Sequence, residues 1–336
     1  MFNVKFLTKE LSRKRDVEAF ITEWNGTSEK ITVKTSGSTG VPKEITLDKV
    51  WMIHSANSTC DFFNLTNSNS AALCLSIETI GGLMMIVRAI IREMTLLVYD
   101  VNSNPIKDNT EQIDFIALVP MQVSKILQES KGVLEKCRNI IIGGAPINNQ
   151  LLTDIQNSNI NAWQTFGMTE TISHIALKKL SYENSTYELL ENIEISTSQN
   201  DCLIVNAPLL GVYNLQTNDC IKILSPKEFT WTGRLDYVIN SGGIKLHPEE
   251  IELKLASTID KPFFIFGLDD PILGSACCIA VESKPYDIKL DFKTILSKYE
   301  VPKKMFFFSQ FERGASDKIN RALTLKAIKN AVYSLL

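Results

Sequence analysis

The stretch Thr35–Lys43 combines hydroxyl side chains, glycines and one lysine within a short run of residues. Glycines allow backbone N–H groups to converge on an anion, hydroxyl groups add donors, and a lysine supplies a point positive charge. This composition predicts a phosphate-binding loop, although a surface Ser/Gly linker has a similar composition and the spacing is not that of a Walker A loop. The residues predicted to bind phosphate are Thr35, Ser36, Gly37, Ser38, Thr39, Gly40 and Lys43.

Two further segments place polar groups next to short predicted elements. Trp163–Thr171 lies at the end of a predicted strand and contains a glycine turn, hydroxyl groups and a single carboxylate, Glu170. Thr232–Asp236 precedes a second segment, residues 238–252, that contains two adjacent glycines. Taken singly, the first could be an ordinary strand turn and the second an ordinary interdomain linker. The three segments in this order are not expected by chance.

In combination, these segments resemble the adenylate-forming superfamily of acyl-CoA synthetases, peptide-synthetase adenylation domains and luciferases. The resemblance covers residues 30–325 approximately and implies that ATP activates a carboxylic acid. It implies that Thr35–Lys43 binds phosphate, that Glu170 is a Mg²⁺ ligand, and that Thr169 acts with Glu170 in catalysis. The other residues that it implies for ATP binding are Gly143, Gly144, Ala145, Gln164, Thr165, Phe166, Gly167 and Met168, together with Thr169 itself.

The same resemblance implies roles for residues in the last third of the chain. Asp219 and Arg234 would bind the ribose of ATP, and Asp236 would be the hinge between two domains. Lys318 would be the catalytic lysine of adenylation and would also contact ATP. A second substrate, coenzyme A, would pass near Ser241, Gly242 and Gly243. ATP, Mg²⁺ and coenzyme A are therefore the expected cofactors and co-substrates, since cations must offset the charge repulsion between a carboxylate and a phosphate.

The chain departs from the family pattern at several places. The segment Glu78–Gly82 lacks the histidine that the family often has there, and Asn240 stands where a lysine is usual. Ser316 and Asp317 precede Lys318 in place of the usual Asn-Gly. The chain is also shorter than typical members, mainly before and around the phosphate loop.

This shortness and several strings of residues resemble one subgroup, the compact, Bacteroidetes-type 2-succinylbenzoate–CoA ligases of menaquinone biosynthesis. The strings include 82–89, 141–144, 171–177 and 238–245. The resemblance makes Arg88 and His174 candidates for holding a dicarboxylic acid. Arg88 could equally be a solvated arginine at a helix end, and His174 a histidine satisfied by a backbone partner.

Three alternatives for the function remain open at this point. A CoA ligase for another aryl or short-chain acid would share every motif, and so would an adenylation enzyme that loads a carrier protein. The third alternative, a non-enzymatic nucleotide-binding protein, is supported only by the Ser316-Asp317 pair before Lys318.

The elements that must position these residues alternate between strands and helices. Predicted strands at 71–77, 95–99, 114–119, 140–142 and 160–166 alternate with predicted helices at 83–94, 121–130 and 148–156, a pattern typical of a parallel sheet covered on both faces. Sites in such folds lie at the carboxyl ends of the strands. Residues 171–232 predict short antiparallel strands, and the rest predicts an α+β tail with helices at 248–255, 292–299 and 322–334.

The predicted fold class is therefore α/β, with a large N-terminal domain and a small mobile C-terminal domain. The large domain has parallel strands flanked by helices plus a small antiparallel sheet. We place the ATP- and acid-binding adenylation domain at residues 1–235 and the mobile lid domain at residues 236–336.

Composition limits the possible partners and the compartment. A net charge of −3, with 44% hydrophobic and 22% charged residues, indicates a folded protein without general attraction for nucleic acid or an anionic membrane. The longest apolar run, Gly81–Val87, is too short to span a membrane, and the chain opens without a signal-peptide pattern. Seven scattered cysteines and three histidines argue against zinc and disulfides and favour a cytoplasmic location. We expect small-molecule partners only: a carboxylic acid, ATP and coenzyme A. The oligomeric state stays open.

Overall fold

The computed structural model describes residues 2–35, 43–183, 186–256, 258–284, 291–313, 319–328 and 331–335. The chain divides into two compact units. The first unit comprises Met1–Ser196, Ile204–Leu215 and Ile223–Thr230, and the second comprises Thr197–Leu203, Gln216–Lys222 and Trp231–Leu336. The predicted division into domains at residues 235 and 236 stays a prediction.

Short strands and helices alternate through the first half of the chain, as the sequence predicts. The helices up to residue 160 are α1 (Leu11–Asn25), α2 (Lys49–Phe62), α3 (Ile80–Ile91), α4 (Pro120–Glu129), α5 (Lys131–Leu134) and α6 (Asn149–Gln156). The strands up to residue 170 are β1 (Asn3–Phe6), β2 (Lys30–Thr35), β3 (Lys43–Asp48), β4 (Ser70–Leu73), β5 (Thr95–Val98), β6 (Phe115–Leu118), β7 (Asn139–Ile142) and β8 (Ala162–Gly167).

Strands dominate the middle of the chain, and the tail mixes strands with helices. The later strands are β9 (His174–Lys179), β10 (Tyr187–Leu189), β11 (Glu194–Thr197), β12 (Cys202–Ala207), β13 (Val212–Ser225), β14 (Glu228–Arg234), β15 (Ile239–Ser241), β16 (Ile244–Leu246), β17 (Phe263–Asp270), β18 (Gly274–Glu282), β19 (Lys304–Phe308) and β20 (Val332–Leu335). The later helices are α7 (Pro248–Leu255), α8 (Phe292–Ile295) and α9 (Arg321–Lys326).

The large sheet has the strand order β1-β5-β4-β6-β7-β8-β9-β10-β14-β13-β12-β11. Strands β1 to β8 in this order are parallel, and β9, β10 and β14 continue the sheet in antiparallel pairs. Strands β2 and β3 form a separate antiparallel hairpin. The last four strands in the order, β14, β13, β12 and β11, are divided between the two units. The α/β class predicted from the sequence is confirmed.

Both faces of the inner parallel strands β4, β5, β6 and β7 are buried, which explains their almost continuous apolar sequences. Ile116 packs with Val123 of α4 and Ile155 of α6 in one core cluster. Its neighbour Phe115 points to the opposite face, where its ring centroid lies 5.3 Å from that of Phe63, directly after α2. The parallel strands thus end at one edge with helices on either side.

The second sheet has the order β16-β15-β18-β19-β20, with β17 paired to β18. Alternate residues of β18 face two different cores. Ile279 packs with Ile251 of α7, whereas Ala280 packs with Phe311 and with Leu325 of α9. Both faces of this sheet are therefore covered within the second unit.

Two helices predicted for the tail differ from the structure. The helix predicted at 322–334 is wrong beyond Lys326, because Val332–Leu335 forms strand β20 and hydrogen-bonds along β19, with Tyr333 opposite Phe306. Strand-favouring Val332 and Tyr333 meet an open sheet edge there. The helix predicted at 292–299 ends at Ile295, after which Leu296 is extended. Within the described residues, no helix is long and apolar enough to cross a membrane.

Candidate active site

Two of the predicted ATP-binding segments lie side by side at the carboxyl ends of β7 and β8. Gly143 directly follows β7, and its N–H donates to the Leu118 carbonyl oxygen at 3.1 Å. Thr165 in β8 donates from Oγ1 to the Ile142 carbonyl oxygen at 3.3 Å. A Cβ atom on Gly143 would lie 2.3 Å from Thr165 Oγ1, so any other residue there would displace the Thr165 hydroxyl. Segment 143–145 and β8, which contains Gln164, Phe166 and Gly167, are thus brought together.

The turn after β8 is fixed by its own hydrogen bonds. The Met168 N–H donates to Thr171 Oγ1 at 3.1 Å, and the Thr171 N–H donates to the Met168 carbonyl oxygen at 3.2 Å. The Ile172 N–H donates to the Thr169 carbonyl oxygen at 2.9 Å. Thr171 is buried, whereas Glu170 on the same turn is exposed. The turn therefore directs the Glu170 carboxylate to solvent from a rigid backbone.

The chemistry of Glu170 fits a magnesium site completed by substrate. Among the described residues its carboxylate has neither a hydrogen-bond nor an ion-pair partner, and those residues contain no group of three or more His, Cys, Asp or Glu that could hold a metal. Mg²⁺ usually keeps several waters and binds through one or two carboxylates plus substrate phosphates. A single exposed carboxylate on a fixed turn suits that donor set better than it suits a protein-enclosed metal.

Arg88 and His174 belong to one buried hydrogen-bond chain. Arg88 Nη2 donates to Ser173 Oγ at 3.0 Å, and Ser173 Oγ lies 3.4 Å from His174 Nδ1. His174 Nε2 lies 3.1 Å from Thr59 Oγ1, which donates its own proton to the Ser55 carbonyl oxygen at 3.2 Å. Thr59 must therefore accept from Nε2–H, which leaves His174 Nδ1 to accept from Ser173.

Both simpler interpretations of these two residues are wrong. Arg88 is not a solvated arginine at a helix end, because it is only 1% exposed. His174 is satisfied by side chains and not by a backbone partner, because its two ring nitrogens face Ser173 and Thr59.

Among the described residues, the buried guanidinium of Arg88 has no counter-charge. Burial lowers the pKa of Arg88 to about 10, so the group is still a cation at neutral pH. Burial and, secondarily, the charge of Arg88 lower the pKa of His174 well below its ordinary value, so this imidazole is neutral. Within the described part of the chain, Arg88 pairs with no carboxylate and its Nε has no hydrogen-bond acceptor. Such a cation is costly unless a bound anion compensates it.

Arg13 provides a contrast within the same unit. It is also buried, at 6% exposure, but its guanidinium donates to the carbonyl oxygens of Tyr99, Leu73 and Leu75 at 3.1, 3.4 and 2.8 Å. Arg13 therefore serves the fold, because it satisfies carbonyl groups at and just beyond the ends of β4 and β5. The unused Nε of Arg88 is what distinguishes the two buried arginines.

The predicted ribose-binding and hinge residues form one polar cluster in the second unit. Trp231 Nε1 donates to Asp219 Oδ1 at 3.0 Å, and Arg234 Nη1 lies 3.7 Å from Asp219 Oδ2. Arg234 Nη2 donates to Asp236 Oδ2 at 2.9 Å, while Asn218 Nδ2 donates to Asp236 Oδ1 at 3.1 Å. Burial alone would lower the pKa of Arg234, but the hydrogen bond to Asp236 and both carboxylate charges raise it. The cluster fixes the orientation of Asp219 and Asp236.

The glycines predicted to lie near coenzyme A form a tight turn. Ser241 pairs with Ile244, so Gly242 and Gly243 are the two central residues of a hairpin between β15 and β16. Their φ angles of +59° and +82° are those of a type I′ turn, which glycine adopts without strain. The Gly242 N–H donates to the Leu273 carbonyl oxygen at 2.8 Å. The turn explains both glycines without a ligand, and their contact with coenzyme A stays a prediction.

Part of the predicted site lies outside the described residues: Ser36, Gly37, Ser38, Thr39, Gly40 and Lys318. Thr35 and Lys43, the two ends of the predicted phosphate loop, are described. They are paired residues at the end of the β2–β3 hairpin, so the predicted phosphate loop starts and finishes at adjacent positions on neighbouring strands.

Sequence reasoning missed Ser173, Thr59 and Trp231. Ser173 and Thr59 connect His174 to two different elements, and Thr59 is 115 positions from its partner. No local pattern indicates such a contact. The one feature of the sequence that could have indicated a role for Ser173 is its position two residues after the Glu170–Thr171 pair.

Comparison with known proteins agrees with this arrangement. A family model described as AMP-binding enzyme matches residues 33–207, which is more than half of the chain. The chain resembles the solved structure of an acyl-CoA synthetase (AMP-forming)/AMP-acid ligase II-like protein from Dyadobacter fermentans, with 31% identity, a TM-score of 0.66 and 95% coverage of both chains. The protein therefore belongs to the family of AMP-binding enzymes.

More distant relatives carry a more specific name. The 2-succinylbenzoate–CoA ligase of Bacillus subtilis is 24% identical over 95% of this chain and 72% of its own length. A solved structure of O-succinylbenzoate coenzyme A synthetase from the same species, in complex with ATP and a magnesium ion, aligns with 24% identity and a TM-score of 0.74. That alignment covers 87% of this chain and 69% of the other. At this identity the structural likeness establishes the fold.

Proposed function

We propose that this protein is an AMP-forming acid–CoA ligase that activates 2-succinylbenzoate. In this reaction ATP adenylates a carboxylate with release of pyrophosphate, and coenzyme A then displaces AMP to form a thioester. Family membership and the names of the relatives support the reaction class and the substrate. The observation that carries the choice of acid is Arg88, a buried cation without a carboxylate partner among the described residues.

A dicarboxylic acid needs a counter-charge for the carboxylate that does not react. Arg88 lies directly behind Ser173, which is partly exposed and follows Glu170 by three residues. The bond from Ser173 Oγ to His174 Nδ1 is long, at 3.4 Å, so the hydroxyl can turn to a bound carboxylate at little cost. We infer that the second carboxylate binds at Ser173 and is attracted by the charge of Arg88. His174, being neutral, orients Ser173 and contributes no charge of its own.

The other residues take the roles that their chemistry and placement support. Lys43 and Lys318 would offset the negative charge that develops as the carboxylate attacks the α-phosphate. Mg²⁺, when bound at Glu170, would neutralise charge on the phosphate oxygens. Asp219 Oδ2 is available to accept from ribose hydroxyls, because Trp231 occupies Oδ1 and fixes the carboxylate. Asp236 would be the hinge, and segment 241–243 would lie along coenzyme A.

The test is a pyrophosphate-release assay over a panel of acids, with and without coenzyme A. We expect 2-succinylbenzoate to turn over in preference to benzoate, succinate and simple aryl acids, with thioester formed only when coenzyme A is present. Equal activity on simple benzoates would contradict the choice of acid but leave the reaction class. Transfer to a phosphopantetheinyl carrier protein in place of coenzyme A would identify a carrier-loading enzyme. Absence of pyrophosphate release with every acid would contradict the whole proposal.

A further inference from the structure

The two ends of segment 314–318 are held together by described residues on either side. Arg313 and Ile319 form an isolated antiparallel bridge. The Asn320 N–H donates to the Glu312 carbonyl oxygen at 2.7 Å, and the Glu312 N–H donates to Thr324 Oγ1 at 3.0 Å. Residues 312–313 and 319–320, on either side of segment 314–318, are therefore fixed to each other and to helix α9.

A bidentate ion pair ties the first end to strand β18. Arg313 Nη1 and Nη2 donate to Glu282 Oε1 and Oε2, each at 2.8 Å. The Phe311 N–H donates to the same Oε1 at 2.6 Å. The hydrogen bond from Arg313 lowers the pKa of Glu282, so this carboxylate is ionised at neutral pH. Bidentate geometry fixes orientation as well as distance, which a single lysine contact does not.

A second ion pair ties the other end to helix α7. Arg321 Nη2 donates to Glu252 Oε2 at 2.8 Å, and the guanidinium lies 4.6 Å from the ring centroid of Tyr237. Burial raises the pKa of Glu252 to about 7, although the charge of Arg321 lowers it. Glu252 and Arg321 share one hydrogen bond, whereas Glu282 and Arg313 share two, so the Glu282–Arg313 pair is the firmer of the two anchors.

We propose that Glu282 and Arg313 are positioning residues for the adenylation step. The inference rests on the proposed function, in which Lys318 bridges the acid and the α-phosphate. A catalytic cation must be held to within a fraction of an ångström, and the residues that hold it must themselves be fixed. Arg313 and Ile319 bound the segment that ends in Lys318, and Glu282 fixes Arg313 against the β18 sheet. The pair thus acts on adenylation through the lysine and touches no substrate.

The experiment compares Glu282→Gln with a matched control, Glu300→Gln. Glu300 also pairs with a cation, at 2.6 Å from Lys254 Nζ, and also accepts a backbone N–H, from Ser297 at 2.9 Å. The side chains of Glu282 and Glu300 are 15% and 14% exposed, so the two substitutions remove a charge at similar burial. Each variant is assayed for acyl-AMP formation, and separately for transfer of the acyl group from synthetic acyl-AMP to coenzyme A.

We expect Glu282→Gln to lower kcat for acyl-AMP formation at least about tenfold and to leave the transfer step within about twofold of the parent. Glu300→Gln should change neither half-reaction by more than about twofold. The double variant Glu282→Gln/Arg313→Gln should be no slower than the slower single variant, because two partners of one interaction are not additive. Hydrogen exchange at the Asn320 amide should accelerate in Glu282→Gln and not in Glu300→Gln.

Equal losses in both half-reactions, or equal losses in the Glu300→Gln control, would overturn the positioning role. So would an unchanged Asn320 amide, a measurement that does not depend on activity. A parent enzyme that forms no acyl-AMP with any acid would refute the proposed function instead. If the parent forms acyl-AMP normally and Glu282→Gln does not slow acyl-AMP formation more than the transfer step, only this inference is refuted.

Discussion

Replacement of Arg88 by methionine separates the role of this cation in binding from its effect on the fold. Methionine has a similar length and no charge, so Arg88→Met should leave the α3 helix and its packing in place. A pKa lowered by burial to about 10 means that the ionised guanidinium costs the folded state about 3 kcal/mol. Since buried ionic groups replaced by apolar ones often leave stability unchanged or increase it, we expect the free energy of unfolding to rise by about 1–3 kcal/mol.

The same free energy is what a bound carboxylate can recover. If the second carboxylate of the acid compensates the charge of Arg88, the Arg88→Met substitution should lower kcat/KM for the dicarboxylic acid about a hundredfold, which corresponds to about 2.7 kcal/mol. The effect should lie in KM, because the interaction is with the non-reacting end and is equal in the ground and transition states. An analogue with an amide at that end should bind weakly to the parent and be affected only slightly by Arg88→Met.

Arg13→Met is the matched control for this experiment. Its removal leaves backbone carbonyl groups of Tyr99 and Leu75 without the guanidinium donor, so it should destabilise the fold by at least about 2 kcal/mol. Thermal unfolding and steady-state kinetics of both variants provide the comparison. Arg88→Met would refute the reasoning if it destabilised the protein as Arg13→Met does, or if it affected the acid and its amide analogue equally.

Three further predictions concern other site residues. Glu170→Gln should weaken adenylation by at least about a hundredfold and shift the magnesium titration of pyrophosphate release to higher concentrations; an unchanged titration would contradict the ligand role. His174→Gln should make the free energy of unfolding less dependent on pH in acid. The folded-state pKa of His174 lies below its ordinary value of 6.5, so the parent loses stability as pH falls below 6.5, by up to about 1.4 kcal/mol per pH unit. The same pH dependence of unfolding free energy in parent and variant from pH 7 to 5 would disprove this. Lys318→Ala should depress acyl-AMP formation about a hundredfold while transfer from synthetic acyl-AMP to coenzyme A proceeds nearly as in the parent, and equal loss of both steps would mean that the lysine has another role.

Local sequence was sufficient where burial and periodicity determine the structure. The apolar run Ile140–Ile142 has no polar face to expose, so it predicted a strand buried on both sides, and it forms β7. Parallel sheets place their sites at the carboxyl ends of the strands, and the structure brings Gly143 to Thr165 at the ends of β7 and β8. These features depend on neighbours in the chain and on general rules of sheet topology.

Long-range contacts were not accessible to the same reasoning. The strand at Val332–Leu335 forms because β19 offers an open edge, and no residue near Val332 indicates that edge. The apolar residues on both sides of Arg88 in α3 indicate a buried helix, but its hydrogen bond to Ser173, 85 positions away, is not visible in the sequence. Glu282 and Arg313 likewise meet across 31 positions. Such pairs are visible only once the fold has brought them together.

The central claim, that the acid is activated as an acyl-adenylate, is tested most directly by isotope transfer. The purified protein is incubated with ATP, Mg²⁺, coenzyme A and 2-succinylbenzoate that carries ¹⁸O in its carboxylates, and the AMP formed is analysed by mass spectrometry. Attack of the carboxylate on the α-phosphate predicts one ¹⁸O atom in each AMP and none in the pyrophosphate. Unlabelled AMP, or label recovered in inorganic phosphate together with ADP, would contradict the account.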